Sequence, residues 1–136
     1  MDGELNFRFL KEKDYDTICK WWKWWRWPIV PREMLPGDGK SGFMVEKNNI
    51  SIVSAYLYLT NSTTAILEWV VSNPNYKETD RKKAIELLIS KAEDVCKNMG
   101  YNNMYSISRN KHLIEIHEKL GWHVDKKPSY EIIKTI

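Results

Sequence analysis

Residues 64–88 read TAILEWVVSNPNYKETDRKKAIELL, and the change of period within this stretch decides the fold. Residues 64–72 are mostly apolar, with Glu68 as the only charge, which predicts a strand; Asn73-Pro74-Asn75 stops it, because proline has no N–H to give a ladder. From Arg81 the apolar positions Ala84, Ile85, Leu88, Ala92, Val95, Cys96 and Met99 fall three or four apart. That spacing predicts a helix over 81–99, with Gly100 just past its end. Residues 103–108 read as a strand again. Two strands joined by a long helix make a right-handed crossover, so these two strands are expected to be parallel neighbours.

Upstream, residues 6–10 read as a first strand. Residues 11–25 follow as a helix, with Tyr15, Ile18, Cys19, Trp22 and Trp25 on one face, ended by Pro28, Pro31 and Pro36. Residues 43–46 and 51–60 form a hairpin about Asn48-Asn49, and Asn61-Ser62 turns the chain into 64–72, completing a three-stranded meander. Downstream, residues 111–120 predict a helix closed by Gly121. Residues 122–124 and 130–133 read as terminal strands around Lys127-Pro128. The expected fold class is α+β: a mixed central sheet flanked by helices, in the order β-α-βββ-α-β-α-ββ.

The chain has 136 residues, 43% hydrophobic and 29% charged, which suits one domain over 1–136. No apolar run approaches the roughly 20 residues that span a bilayer, so no membrane span is expected. Met1-Asp2-Gly3-Glu4 is no secretory leader, and Cys19 and Cys96 make no disulfide framework, so a reducing, cytoplasmic setting is expected. The 21 basic and 18 acidic residues leave a net charge of +3, too balanced to call by itself for nucleic acid. Any anion site must be local. His112, His117 and His123, with the cysteines, show no metal-ligand spacing, and no metal is assigned.

The start of the 81–99 helix stands at the end of the 64–72 strand, where free N–H groups hold phosphate in many α/β proteins. Arg81, Lys82 and Lys83 crowd this first turn, although the helix dipole opposes positive charge there by roughly 0.3–1 kcal/mol each. A bound polyphosphate would compensate. So would Glu78 and Asp80 at the cap, and Asn75 with Glu78 could instead cap a longer helix that leaves no room for phosphate.

In this order of elements the chain resembles the GNAT superfamily of acyl-CoA-dependent N-acetyltransferases, and most of all compact members carried by tailed phages. Residues 67–71 followed by 79–88 look like the family's strand, pyrophosphate loop and helix. The family's loop motif, (Arg or Gln)-x-x-Gly-x-(Gly or Ala), falls on Thr79, Lys82 and Ala84, of which Ala84 agrees. An Asn at a strand end followed seven residues later by a Tyr-x-x-x-Gly-(Phe/Tyr) run falls on Asn110 and on residues 117–122, with His117 in place of Tyr.

The resemblance implies acetyl-CoA as acyl donor and a primary amine as acceptor, attacked directly with no enzyme-bound intermediate. It implies that the backbone of Trp69, Val70, Val71 and Ser72 pairs with the pantetheine arm as an added strand. Thr79, Arg81, Lys82, Lys83 and Ala84 would then cradle the pyrophosphate, with Asn110 nearby. A side chain at Lys82 costs about 1 kcal/mol or more if that residue needs φ > 0. A lysine-type amine has a pKa near 10.4, so a base must take its proton, and Glu68 is the candidate. Strand parity groups it with Ile66, Val70 and Ser72, an apolar setting that would raise its pKa. The alternative is a glutamate on an exposed sheet face or paired with a lysine. His117 is the candidate acid for the departing thiolate; a helix histidine can equally be a packing residue.

Residues 20–28 hold five of the seven tryptophans, interleaved with Lys20, Lys23 and Arg26. Trp22 and Trp25 with Ile18 are expected to be buried. Trp24, Trp25, Trp27 and Arg32, with Tyr56 and Tyr58, are expected to wall the acceptor pocket, where aromatic faces suit a cationic amine on a small molecule or a macromolecule. The same composition can stack on single-stranded nucleic acid, which makes a non-catalytic binding module the rival expectation. A structural or interaction protein is a third, if an oligomer such as a homodimer buries Trp21, Trp24 and Trp27 in its contact.

Overall fold

Asn48 and Asn49 both take positive φ, 52° and 63°, the two-residue turn that matches the twist of a hairpin. They join β2 (Gly42–Lys47) to β3 (Ile50–Leu59), and β3 turns at 60–63 into β4 (Thr64–Ser72). The computed structural model, which describes residues 3–136, adds β1 (Asn6–Phe9) and α1 (Asp14–Trp24) before this meander. After it come α2 (Arg81–Asn98), β5 (Asn103–Tyr105) and α3 (Lys111–Lys119). The strands lie in the order β1-β2-β3-β4-β5, antiparallel except for the parallel β4–β5 pair that flanks the α2 crossover. Gly100 and Gly121 stand at φ 90° and 93° just past α2 and α3, ending both helices where expected.

The sheet is covered on both faces, which is why β3 is buried through six consecutive residues instead of alternating with solvent. On one face Ala84, Leu88, Ile89, Ala92 and Cys96 of α2 pack on Phe43, Val45, Val53, Ala55, Leu57, Ala65 and Leu67. On the other, Ile18, Trp21 and Trp22 of α1 pack with Val30 and Leu35 on Met44, Tyr56 and Val71. Trp21, not Trp25, completes the buried stripe of α1. Trp25 is the residue at which the helix ends, and its ring lies outside the core.

Two further expectations fail at the C-terminal side. β5 stops at Tyr105 rather than 108, because Ser106 and Ile107 bond the Glu68 side chain instead of a neighbouring strand. Residues 122–124 and 130–133 form no strands. Trp122 folds onto α3, edge-on to His117 with centroids 4.7 Å apart, and Tyr130, Ile132 and Ile133 stay exposed. The described residues therefore carry β-α-βββ-α-β-α, followed by an irregular tail. No helix among them is long and apolar enough to cross a membrane.

Candidate functional site at the splay of β4 and β5

β4 carries a break in its pleat. Ser54 pairs with Val71 and Tyr56 with Glu68, so the single residue Ala55 of β3 faces both Trp69 and Val70. This is a β-bulge, and its first residue, Trp69, stands at φ 60°, a left-handed conformation that costs a non-glycine residue about 1 kcal/mol or more. Its side chain holds it there. The indole Nε1 donates to the Tyr58 hydroxyl at 3.0 Å, that hydroxyl donates to the Met34 carbonyl at 3.0 Å, and the ring meets Trp22 edge-on at 6.2 Å. The bulge also corrects the expected parity: Val70 packs with the α2 cluster, whereas Trp69 and Val71 join the α1 cluster. Glu68 thus shares its side of the sheet with Trp69 and Val71, not with Val70.

β4 and β5 are paired only from Thr64 to Ile66, opposite Asn103 to Tyr105, and then part. Beyond Ile66 one edge of β4 has no strand against it. The direction of its groups follows from one bond: Asn73 N–H donates to the Ile52 carbonyl at 2.7 Å, so Asn73 faces β3. Along a strand successive residues alternate in direction, and the N–H and C=O of Ser72 therefore face the open edge.

Glu68 reaches into the gap. Its Oε1 accepts the Ile107 N–H at 2.6 Å and the Ser106 hydroxyl at 3.4 Å, tying β4 to the β5–α3 loop. It is neither on an exposed face nor paired with a lysine. Burial pushes its pKa up, the two hydrogen bonds oppose that push, and the Glu131 charge adds to it. The residues bonding Glu68 lie in a segment that sequence reading took for strand, and no residue type marks Ile107 as its partner.

The turn before α2 resolves which cap forms. The helix starts at Arg81, so Asn75 does not cap it; Asn75 N–H donates to the Asn73 side chain at 2.9 Å. Asp80 sits at the cap position without capping, since its carboxylate takes the Lys47 ammonium at 2.9 Å and the Tyr76 hydroxyl at 2.6 Å. Those two bonds hold its pKa down. The backbone N–H groups of Lys82 and Lys83 consequently carry no partner among the described residues. Lys82 is not at positive φ, so replacing the family's glycine there strains nothing. Thr79, Lys82 and Lys83 are exposed and Ala84 is buried. Arg81 turns from solvent to donate to the Asn73 carbonyl at 3.1 Å, which relieves part of the charge crowding at the helix start.

The remaining predicted residues divide. Tyr58 stands beside Trp69 and Glu68, with its hydroxyl pKa raised by burial. Tyr56 is not a pocket wall: it is fully buried and its hydroxyl donates to the Gly39 carbonyl at 3.1 Å. Arg32 is likewise taken up by structure, 4.3 Å over the Tyr15 ring and paired with Glu12. Trp24 and Trp27 are exposed, whereas Trp25 donates to the Ser72 carbonyl at 2.9 Å and so lies at the open edge of β4. Asn110 caps α3, its side-chain oxygen accepting the Leu113 N–H at 3.0 Å. His117 is buried; its Nδ1 bonds the Leu113 carbonyl at 2.8 Å and its Nε2 has no partner among the described residues. Sequence reading passed over Ser54, whose buried hydroxyl, one ladder step from the bulge, is also without a partner among them.

No protein-family model and no curated protein matches the sequence. Solved structures do match its fold. An aminoglycoside N-acetyltransferase, AAC(6')-Iy in complex with CoA, superposes with a TM-score of 0.65 at 16% identity, over 98% of this chain and 97% of that one. The ribosomal-protein-S18-alanine N-acetyltransferase from Escherichia coli gives 0.68 at 17% identity, over 87% and 77%. N-acetylglutamate synthase from Neisseria gonorrhoeae, complexed with coenzyme A and L-arginine, gives 0.73 at 14%, over 93% of this chain and 30% of that one. The chain has the GNAT acetyltransferase fold. At these identities the likeness concerns the fold alone.

Proposed function

We propose that the chain is an acetyl-CoA-dependent N-acetyltransferase that acts on a primary amine. The observation that carries this is the break beside the strained bulge at Trp69: past Ile66 the β4 edge at Ser72 has no strand against it, and the Lys82 and Lys83 amides have no partner among the described residues. The fit of an acyl-CoA to these residues is chemical. An extended amide arm can add to the open edge as a strand, and a diphosphate suits free N–H groups at a helix start flanked by Lys82 and Lys83. Bound there, acetyl-CoA supplies the thioester carbon that the amine attacks.

The protein residues do the rest. Glu68, its pKa raised by burial, takes the proton that the amine must lose, and the Ile107 N–H and Ser106 hydroxyl hold the carboxylate in place. His117, whose Nδ1 bonds the Leu113 carbonyl and whose Nε2 has no partner among the described residues, is assigned as the acid for the leaving sulfur. Tyr58 and Trp69, braced by Met34, give the acceptor an aromatic wall for an ammonium ion or a planar body.

Calorimetry with acetyl-CoA tests the proposal. We expect saturable binding that Lys82→Glu weakens about tenfold, the weight of a hydrogen bond to a charged group. No heat with the wild-type chain removes the transferase. One observation favours a second function: from Lys23 to Ile29 every residue is exposed, with three tryptophans, two cations and no acid. Salt-dependent binding of single-stranded DNA, without acetyl-CoA binding, would make the domain a nucleic-acid module.

A further inference from the structure

Trp25 stands on the strip of β4 that an acyl-CoA needs. Its indole Nε1 donates to the Ser72 carbonyl at 2.9 Å, on the edge that β5 leaves bare. The Arg81 guanidinium lies 5.9 Å from the ring centroid, so the indole bridges the end of β4 and the first turn of α2. A carbonyl has two lone pairs, and the conflict with an incoming arm is therefore one of space. An added strand runs roughly 4.8 Å from its neighbour, and an indole hydrogen-bonded to Ser72 fills that lane.

Trp25 is also built to move. It is 37% exposed, it is the residue at which α1 ends, and Arg26 after it takes φ 63° and leaves the helix path. Its aromatic neighbour is Trp24, edge-on at 4.7 Å and itself exposed. The buried aromatic face of α1 is made by Trp21 and Trp22, not by Trp25.

We propose that Trp25 is a latch on the pantetheine groove. It holds the Ser72 carbonyl, yields its place to an arriving pantetheine arm and then forms the outer wall of the groove. This rests on the acyl-CoA reading of the site. The latch separates ligands by chemistry: one with an extended amide arm must displace the indole, whereas a nucleotide that reaches only the α2 amides leaves it on Ser72.

Indole 15N–1H spectra of the full chain test this, with the Trp25 signal identified by its loss in Trp25→Phe or, should that variant fold poorly, in Trp25→Tyr. CoA is expected to shift the Trp25 signal, and adenosine 3',5'-bisphosphate, which lacks the arm, to leave it in place. The calorimetric Kd for CoA should fall roughly two- to tenfold in Trp25→Phe, because one neutral hydrogen bond no longer has to be broken. Heat of CoA binding with an unmoved Trp25 signal and equal Kd in both proteins overturns the latch and leaves the transferase standing. No heat from CoA in either protein overturns both.

Discussion

Asp14 and Glu68 are carboxylates withdrawn from water at opposite edges of one sheet, and their surroundings differ in kind. Asp14, at the start of α1, is met on both oxygens by the Arg8 guanidinium at 2.7 and 3.0 Å and by the Lys11 N–H at 2.7 Å. Arg8 also donates to Glu46 at 3.0 Å, closing the network across β1 and β2. Burial acts to raise the Asp14 pKa, but the Arg8 bonds, the Lys11 N–H and the charges of both residues together override it and hold the carboxyl below its usual range. Glu68 has a backbone N–H and a hydroxyl for partners and no cation bridging it, and burial prevails there. The lesson is that burial alone does not assign a role. A carboxylate held by a full charge is spent on stability, whereas one held by neutral donors keeps proton affinity in hand.

The sharpest break in this comparison comes from removing each charge in turn. Glu68→Gln should lower kcat for an amine acceptor by roughly 10²–10⁴-fold, the usual weight of a positioned base, with the calorimetric Kd for acetyl-CoA nearly unchanged. Wild-type kcat/KM should rise with pH through an acid limb set by Glu68, above the usual carboxylate value because its pKa is raised, and Glu68→Gln should lack that limb. An identical pH profile in the variant would put Glu68 in the same structural class as Asp14.

Asp14→Ala should do the opposite. Removing one partner of a buried pair strands the other, and Arg8 would keep only Glu46 and a carbonyl. The expected loss of stability is about 3 kcal/mol, measured by urea unfolding, with acetyl-CoA affinity retained in the folded fraction. A loss below about 1 kcal/mol would show that the network is no stronger than an exposed ion pair.

Much of the fold is legible in the sequence, because β4 and α2 are written in two periods that do not overlap. Residues 64–72 came out as a strand to the residue, and α2 begins at Arg81 as its spacing predicts. What escaped depends on contacts between distant residues. The bulge at Trp69 leaves no mark in the residue types of 64–72, since it is held by Tyr58 and Trp22 from other elements. Residues 130–133, Tyr-Glu-Ile-Ile, have the residue types of a strand, but composition does not provide an edge to pair with. The aromatic segment misled in a similar way. Helical spacing nominated Trp25 for the core because 3.6-residue periodicity does not see where a helix ends, and one residue past its last turn the ring meets Ser72 instead. Glu68 was legible as a lone charge in an apolar strand, while its partners Ser106 and Ile107 were not.

The smallest expected effect is the most exacting, because the two carboxylates must move stability in opposite directions on acidification. The folded-state pKa of Asp14 is depressed, so its contribution is present above its unfolded value near 3.9 and is lost as pH falls through the lower folded value. That of Glu68 is raised, so its ionised form costs stability above the folded pKa, and protonating it on the way down restores what was lost. Each pKa unit corresponds to about 1.4 kcal/mol. Urea midpoints measured from neutral pH downward should therefore climb slightly before they collapse. Glu68→Gln should abolish the climb and keep the collapse, and Asp14→Asn should soften the collapse and keep the climb. A wild-type chain whose midpoint only falls would show that Glu68 is as well compensated as Asp14, and the contrast between the two ends of the sheet would be gone.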